Sequence, residues 1–243
     1  MKKYIIIVVV FLTSVIAFGQ NIEDFKKDFK NATKTEFSET ELNDMFRKYS
    51  NLLTPHSDIT QLTASLKNQT ILQYPLSEFK DTDDYKNNIQ TLFNSKNSNQ
   101  RILSYIVIAG AGDINYEKGL LEKIKTEKEK GNLIWSGMAL MYLKTNHTTE
   151  LFDFLTKNEN FGDSHMIPLY FKLNKDSLQN TAYARINSEN LKAKVLSAQI
   201  LSITGKNKKT EKLLLDAVKN WNYNIKGYAI YSVKELQIGN LKE

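Results

Sequence analysis

The residues from Asn190 to Gly239 constrain this chain most, because they repeat. Asn190-Leu191-Lys192 opens one helix-compatible segment, and Asn224-Ile225-Lys226 opens another 34 residues later. Gly205 and Gly239 follow the two segments at that same offset. Between them lies a shorter amphipathic segment, Thr210 to Val218, bounded by polar links. Self-similarity at this period marks an α-helical repeat array, in which a single unit cannot bury its own apolar face and stacking buries it instead.

The rhythm extends backwards. Nearly all-apolar segments begin near residues 99, 132, 164, 190 and 224, spaced by 33, 32, 26 and 34 residues, and each alternates with an amphipathic partner. The first of them ends in Gly110-Ala111-Gly112-Asp113. These glycines follow a helix and not a strand, so they read as a C-cap and not as a nucleotide-binding loop. The chain before the array is helical too. Ile22, Phe25 and Phe29 share one face. Ser38-Glu39-Thr40-Glu41 is a capping box, and Leu42, Met45, Phe46, Tyr49, Leu52 and Leu53 follow it as an apolar stripe as far as Thr54-Pro55. Ser57 or Asp58 starts a further helix through Leu66, and Leu76 and Phe79 read as anchors of a looser segment. Asp81-Thr82-Asp83-Asp84 reads as a cap with dipole partners, because Tyr85 and Lys86 stand where a calcium loop needs an oxygen ligand and a glycine. Strand patterns are nearly absent after the first twenty residues. The expectation is an all-α chain with an N-terminal helical region over 20–97. A right-handed α-solenoid of stacked helical hairpins then runs over 98–243, with the polar break at 94–100 as the boundary.

The segment Lys208 to Leu236 resembles a short HEAT-type repeat. It has a Leu213-Leu214-x-x-Ala217 helix, a polar turn over Asn220 to Asn224, and then Ile225-Lys226-x-x-Ala229-Ile230-x-Ser232-Val233-x-x-Leu236-x-x-Gly239. In that family a basic residue follows the first apolar position, small residues allow close packing and glycine ends the helix. Lys192, Ala198 and Gly205 echo this one repeat earlier. The 26-residue spacing and the lack of an aspartate ladder depart from the family. A tetratricopeptide array, of 34-residue period, is the runner-up. Its expected tryptophan, leucine-glycine and tyrosine are missing, however, and Asn222 stands where its closing proline belongs. Either resemblance implies an α-solenoid that binds proteins.

The start of the chain predicts export. Met1-Lys2-Lys3 is basic, and Tyr4 to Ile16 is apolar except for Thr13 and Ser14. Ala17-Phe18-Gly19 supplies small residues, so residues 1–19 read as a signal peptide cleaved after Gly19. The apolar run is too short for a membrane span of ~20 residues, so no membrane insertion is expected after cleavage, and the protein is placed in the periplasm or outside the cell. With no cysteine, the fold must be held by burial alone. The net charge of +6 falls to +4 when Lys2 and Lys3 leave, and only Arg47, Arg101 and Arg185 of the 33 basic residues are arginine. That balance argues against nucleic acid, whose phosphates and bases favour the bidentate arginine fork.

Catalytic patterns do not assemble. His56, His147 and His165 are scattered, which with no cysteine leaves no metal site expected. Gly162-Asp163-Ser164-His165 is similar to the nucleophile block of GDSL hydrolases, but its flanks are helical and Asp163 or Ser164 serves as an N-cap. No cofactor loop or serine-nucleophile motif occurs. The candidate binding residues are Trp221 and Tyr223, in the polar turn between two helices, with Lys208, Lys209 and Lys212 as a basic neighbourhood for an acidic partner or a glycan. The bland reading of Trp221 is a staple between those helices. The expected function is a non-enzymatic scaffold for a protein partner. The alternatives are an accessory, immunity-type or inhibitory factor for an exported enzyme or toxin, and an all-α glycan-active enzyme using Asp and Glu pairs. The last helix carries one further expectation: either its charged residues Lys226, Lys234 and Glu235 cap the array, or a partner covers it.

Overall fold

Asparagine side chains write several of the helix starts in this protein. Asn97 Oδ1 accepts from the backbone N–H groups of Asn99 and Gln100 at 2.9 and 3.2 Å, and Asn190 Oδ1 does the same for Lys192 and Ala193 at 2.9 and 3.2 Å. Asn207 Oδ1 accepts from Thr210 N at 2.9 Å. Each satisfies amides that the helix itself leaves unpaired. The computed structural model describes residues 22–34, 36–53, 74–157 and 175–239. Residues 1–19, His56, the Ser57-to-Leu66 helix and the Gly162-to-His165 block lie outside these. The protein is all-α: among the described residues there are eleven α-helices and no strand.

The described residues fall into two compact units, divided at Tyr116 and Glu117. The first holds α1 (22–32), α2 (Glu39–Leu53), α3 (Asp83–Phe93) and α4 (Ser98–Ala111). The capping box forms as its spacing requires: Ser38 N donates to Glu41 Oε2 at 2.7 Å, and Glu41 N donates to Ser38 Oγ at 3.2 Å. Thr82 caps α3 by accepting from Tyr85 N at 3.3 Å, with Asp83 and Asp84 in the first turn. Leu76 and Phe79 are buried at 0% and 2% exposure, so the looser segment is anchored by them. Phe25, Phe29, Tyr49, Phe79 and Tyr85 pack ring against ring, with neighbouring centroids 5.3 to 5.8 Å apart.

The spacing put α4 at the head of the array, but it packs on α2 and α3 within the first unit. Gly110 is the reason it fits there. A Cβ at that position would stand 3.0 and 3.1 Å from the Leu52 and Leu53 carbonyl oxygens, so the α4 backbone passes close against the end of α2. Gly112, at φ +62°, then closes α4 in the left-handed conformation, and Asp113 N reaches Ile108 O at 3.2 Å.

The second unit holds α5 (Glu117–Thr126), α6 (Lys130–Tyr142), α7 (Thr148–Lys157), α8 (Lys175–Arg185), α9 (Leu191–Thr204), α10 (Lys208–Asn220) and α11 (Tyr223–Glu235). α5 packs on α6, α6 on α7, α7 on α8, α8 on α9 and α10 on α11, and α9 also packs on α7 and α11. α9 is buried nearly all round, while α10 keeps a polar outer face. Two helices here end without glycine, α11 against the expected closure by Gly239. α6 and α11 are closed by Lys144 and Gln237, non-glycine residues at φ +54° and +49°. Thr145 N reaches Leu140 O at 3.1 Å and Ile238 N reaches Val233 O at 3.0 Å. Gly239 therefore lies beyond the turn that ends α11. The start of α11 shifts as well: Asn222 is its cap, so Asn224, the counterpart of the capping Asn190, sits inside the helix.

An ion pair ties α7 to α8. Arg185 Nε and Nη2 each donate to one oxygen of Asp153 at 2.7 Å. The guanidinium holds the Asp153 carboxyl below its usual range, against a smaller opposing effect of burial. Replacing Asp153 by Asn is expected to lower the stability of this unit by about 1 kcal/mol, and by less in high salt, since both side chains are 32% exposed. A carboxyl whose folded pKa is depressed contributes stability above its unfolded value and loses that contribution as the pH falls through the folded one. The difference in urea midpoint between wild type and Asp153→Asn should thus be present at neutral pH and shrink below about pH 4.

Candidate functional site

The five residues expected to form a binding patch separate in space. Lys208, Lys209 and Lys212 stand at the start of α10, and Trp221 and Tyr223 at its far end. At 1.5 Å per residue, Lys209 and Trp221 are ~18 Å apart along the axis. The lysines are exposed, and Lys209 already has a partner: its Nζ lies 4.1 Å from the centroid of the Tyr183 ring on α8. The Tyr183 hydroxyl is held in turn by Thr210 Oγ1 at 2.9 Å and by Asn207. Trp221, read from the sequence either as part of a surface patch or as a staple, is only 6% exposed and ends α10 by donating its backbone N–H to Ala217 O at 2.9 Å. Its position agrees with a staple between helices. Tyr223 is 92% exposed.

Around Tyr223 the structure assembles a different site. α11 buries Ile225, Ala229, Ser232 and Val233, the residues that face inward at helical spacing. The opposite side carries Tyr223, Gly227, Ile230, Tyr231 and Lys234, all exposed. Ile230 and Tyr231 remain 44% and 58% exposed, and Tyr228 beside them 44%. These aromatic and aliphatic side chains line a shallow groove of about 700 Å³, bordered by Gln199 of α9 and by Asn224 and Lys226. Gln199 Oε1 is buried there without a hydrogen-bond partner. The Glu235 carboxylate beside Tyr231 pushes the phenol pKa up, through its charge and through the hydrogen bond it shares with the hydroxyl. A contiguous exposed apolar patch on one helix is what a protein partner covers.

Sequence reasoning found Tyr223 and missed the rest. Ile230 reads as a core position of the repeat, and Tyr228 and Tyr231 read as unassigned positions beside it. A signal was present, because α11 is apolar on both faces and a helix of that kind needs neighbours on both sides. The expected charged cap is incomplete. Lys234 and Glu235 are exposed, but the tyrosines lie uncovered between them and Lys226.

Two polar clusters in the first unit have structural explanations. Asp113 is 6% exposed, with Oδ2 accepting from the Tyr85 hydroxyl at 2.9 Å and Oδ1 from Asn115 Nδ2 and N at 2.9 and 3.2 Å. Its oxygens are occupied in holding the turn after α4. Burial and then the neighbouring carboxylate push the Tyr85 phenol well above its usual range. Asp28 joins α1 to α2 by accepting from the Tyr49 hydroxyl at 2.5 Å and from Lys48 at 3.1 Å. Burial, followed by the hydrogen bond to Asp28, raises the Tyr49 phenol to about 12. Among the described residues, no three His, Asp or Glu side chains converge as a metal site, and no helix is long and apolar enough to cross a membrane. Comparison of the chain with protein-family models, with curated proteins and with solved structures gives no match.

Proposed function

We propose that this chain is an exported repeat protein of the HEAT-like kind, its second unit a right-handed α-solenoid. On this reading it has no catalytic activity of its own and binds a protein through the uncovered side of α11. The repeat reading is supported by a hydrogen bond between positions one period apart: Ser232 Oγ donates to Ala198 O at 3.0 Å, across 34 residues. Contacts between equivalent positions of successive units are what stacking produces. Export rests on the basic, apolar and small-residue order of residues 1–19.

The observation that carries the binding reading is the exposed row of Tyr223, Ile230 and Tyr231 on a helix whose other side is fully packed. Aromatic residues of this kind dominate the energetics of protein interfaces. The test compares wild-type protein with Tyr223→Ala/Tyr231→Ala, both tagged, for capture from the exported fraction of the native cell. A protein retained by wild type and lost from the variant, at unchanged melting temperature, is the expected result. Equal retention by both would remove α11 from the binding surface, and no retention by either would remove the scaffold reading.

A further inference from the structure

We propose that the occupant of the α11 face is the α11 of a second copy of this chain, laid antiparallel across it. The inference rests on the reading of that face as a protein-binding surface and names what it binds. Three observations lead to it.

The first is continuity with the packing inside the second unit. Counting back 34 residues from Gly227, Ile230, Tyr231 and Lys234 gives Ala193, Leu196, Ser197 and Ile200 of α9. All four are buried, at 2%, 4%, 0% and 0% exposure. The side of the repeat that neighbours cover on α9 is thus the side left open on α11, and the shape it offers is a seat for a helix.

The second is Gly227. It lies inside α11, where glycine weakens a helix relative to alanine. Its φ is not positive, and a Cβ built on it would meet nothing within 4 Å. Nothing among the described residues calls for glycine there, whereas a second helix approaching closely at that point does.

The third is register. In an antiparallel pair centred on the peptide between Tyr228 and Ala229, Gly227 of one copy faces Ile230 of the other, so the bulkier side chain enters the gap. Tyr223 then faces Lys234 of the second copy, and Tyr231 faces its Lys226. The two-fold axis generates each contact twice, placing a lysine against each of the four tyrosines in an arrangement suited to cation–π attraction. A parallel pair would set Lys234 against Lys234 and Gly227 against Gly227, with like charges together and an unfilled gap. The seam is one helix of 13 residues, ~20 Å long, so the association is reversible and depends on concentration.

Sedimentation equilibrium of the purified protein over a concentration series tests the proposal. A monomer–dimer equilibrium is expected, with the dimer dissociation constant raised at least tenfold by Ile230→Glu and by Gly227→Leu. Both positions are exposed, so the monomer should stay folded, with Gly227→Leu melting no lower than wild type because leucine favours a helix over glycine. The absence of cysteine makes the register directly testable. Oxidation should cross-link Tyr223→Cys/Lys234→Cys into a covalent dimer, since disulfides need Cα atoms within ~7 Å. Tyr223→Cys alone should not cross-link, because antiparallel pairing sets the two copies of that residue ~16 Å apart along the seam. A wild type that stays monomeric at every concentration, or a dimer indifferent to both substitutions, overturns the inference, as does ready cross-linking of the single variant. If the monomeric wild type still captures another protein that Tyr223→Ala/Tyr231→Ala loses, the second copy is the wrong occupant and the binding reading stands. If those substitutions change neither capture nor association, both fall.

Discussion

Phe79→Ala should destabilise the first unit by about 3–5 kcal/mol, the range for removing a buried aromatic ring from a packed core. Phe79 is 2% exposed, and its ring centroid lies 5.5 Å from Phe25, 5.4 Å from Phe29 and 5.6 Å from Tyr85, edge-on to all three. It therefore joins the segment before α3 to α1 and to α3 itself, and through Phe25 to Tyr49 of α2. A loss of that size is a large part of the about 5–15 kcal/mol that holds a typical domain folded. The spectroscopy separates the units, because both tryptophans, Trp135 and Trp221, belong to the second. Urea unfolding followed by near-ultraviolet circular dichroism of tyrosine and phenylalanine should show an early transition in the variant. An unchanged midpoint would mean that the ring cluster is not what holds the first unit together.

Gly112→Ala should cost about 2–5 kcal/mol in the same unit, by a different mechanism. The position has φ +62°, where an L-residue is strained by roughly 1–2 kcal/mol. In addition, the new Cβ would stand 2.7 Å from Tyr74 Cγ and 2.8 and 2.9 Å from the two Cδ atoms of that ring. Displacing a ring from a packed site adds about 1–3 kcal/mol. Gly239→Ala is the internal control. It has a similar φ of +74°, but a Cβ there meets nothing within 4 Å, so only the backbone strain should appear. Thermal melts of the two variants beside wild type measure the difference. Equal losses would show that Tyr74 yields without cost.

Much of the local structure was legible before any coordinates. Ser38 and Glu41 form their reciprocal cap, Thr82 and Asn190 begin helices, and Gly112 ends one, because each of these depends on groups within a turn of one another. Lys144 and Gln237 were not legible as helix ends. Neither residue type favours a left-handed turn, so those conformations are imposed by the packing around them. The candidate site was half legible. Tyr223 and Trp221 sit two residues apart in one polar turn, yet one is 92% exposed and the other 6%. The basic residues grouped with them by sequence lie at the other end of α10, because a helix carries neighbours in sequence ~1.5 Å further along its axis with every residue.

The sequence by itself determined that this protein is built of helices, where most of them start, and that its apolar segments recur with a period near 34 residues. Capping, turn chemistry and periodicity act over a few residues, so they can be read from order alone. Only the tertiary structure decided that α4 joins the first unit, that Trp221 goes inside, and that Gly227, Ile230 and Tyr231 stay uncovered while their α9 counterparts are buried. Burial belongs to a residue together with the neighbours brought against it, and α9 and α11, one repeat period apart, have different neighbours.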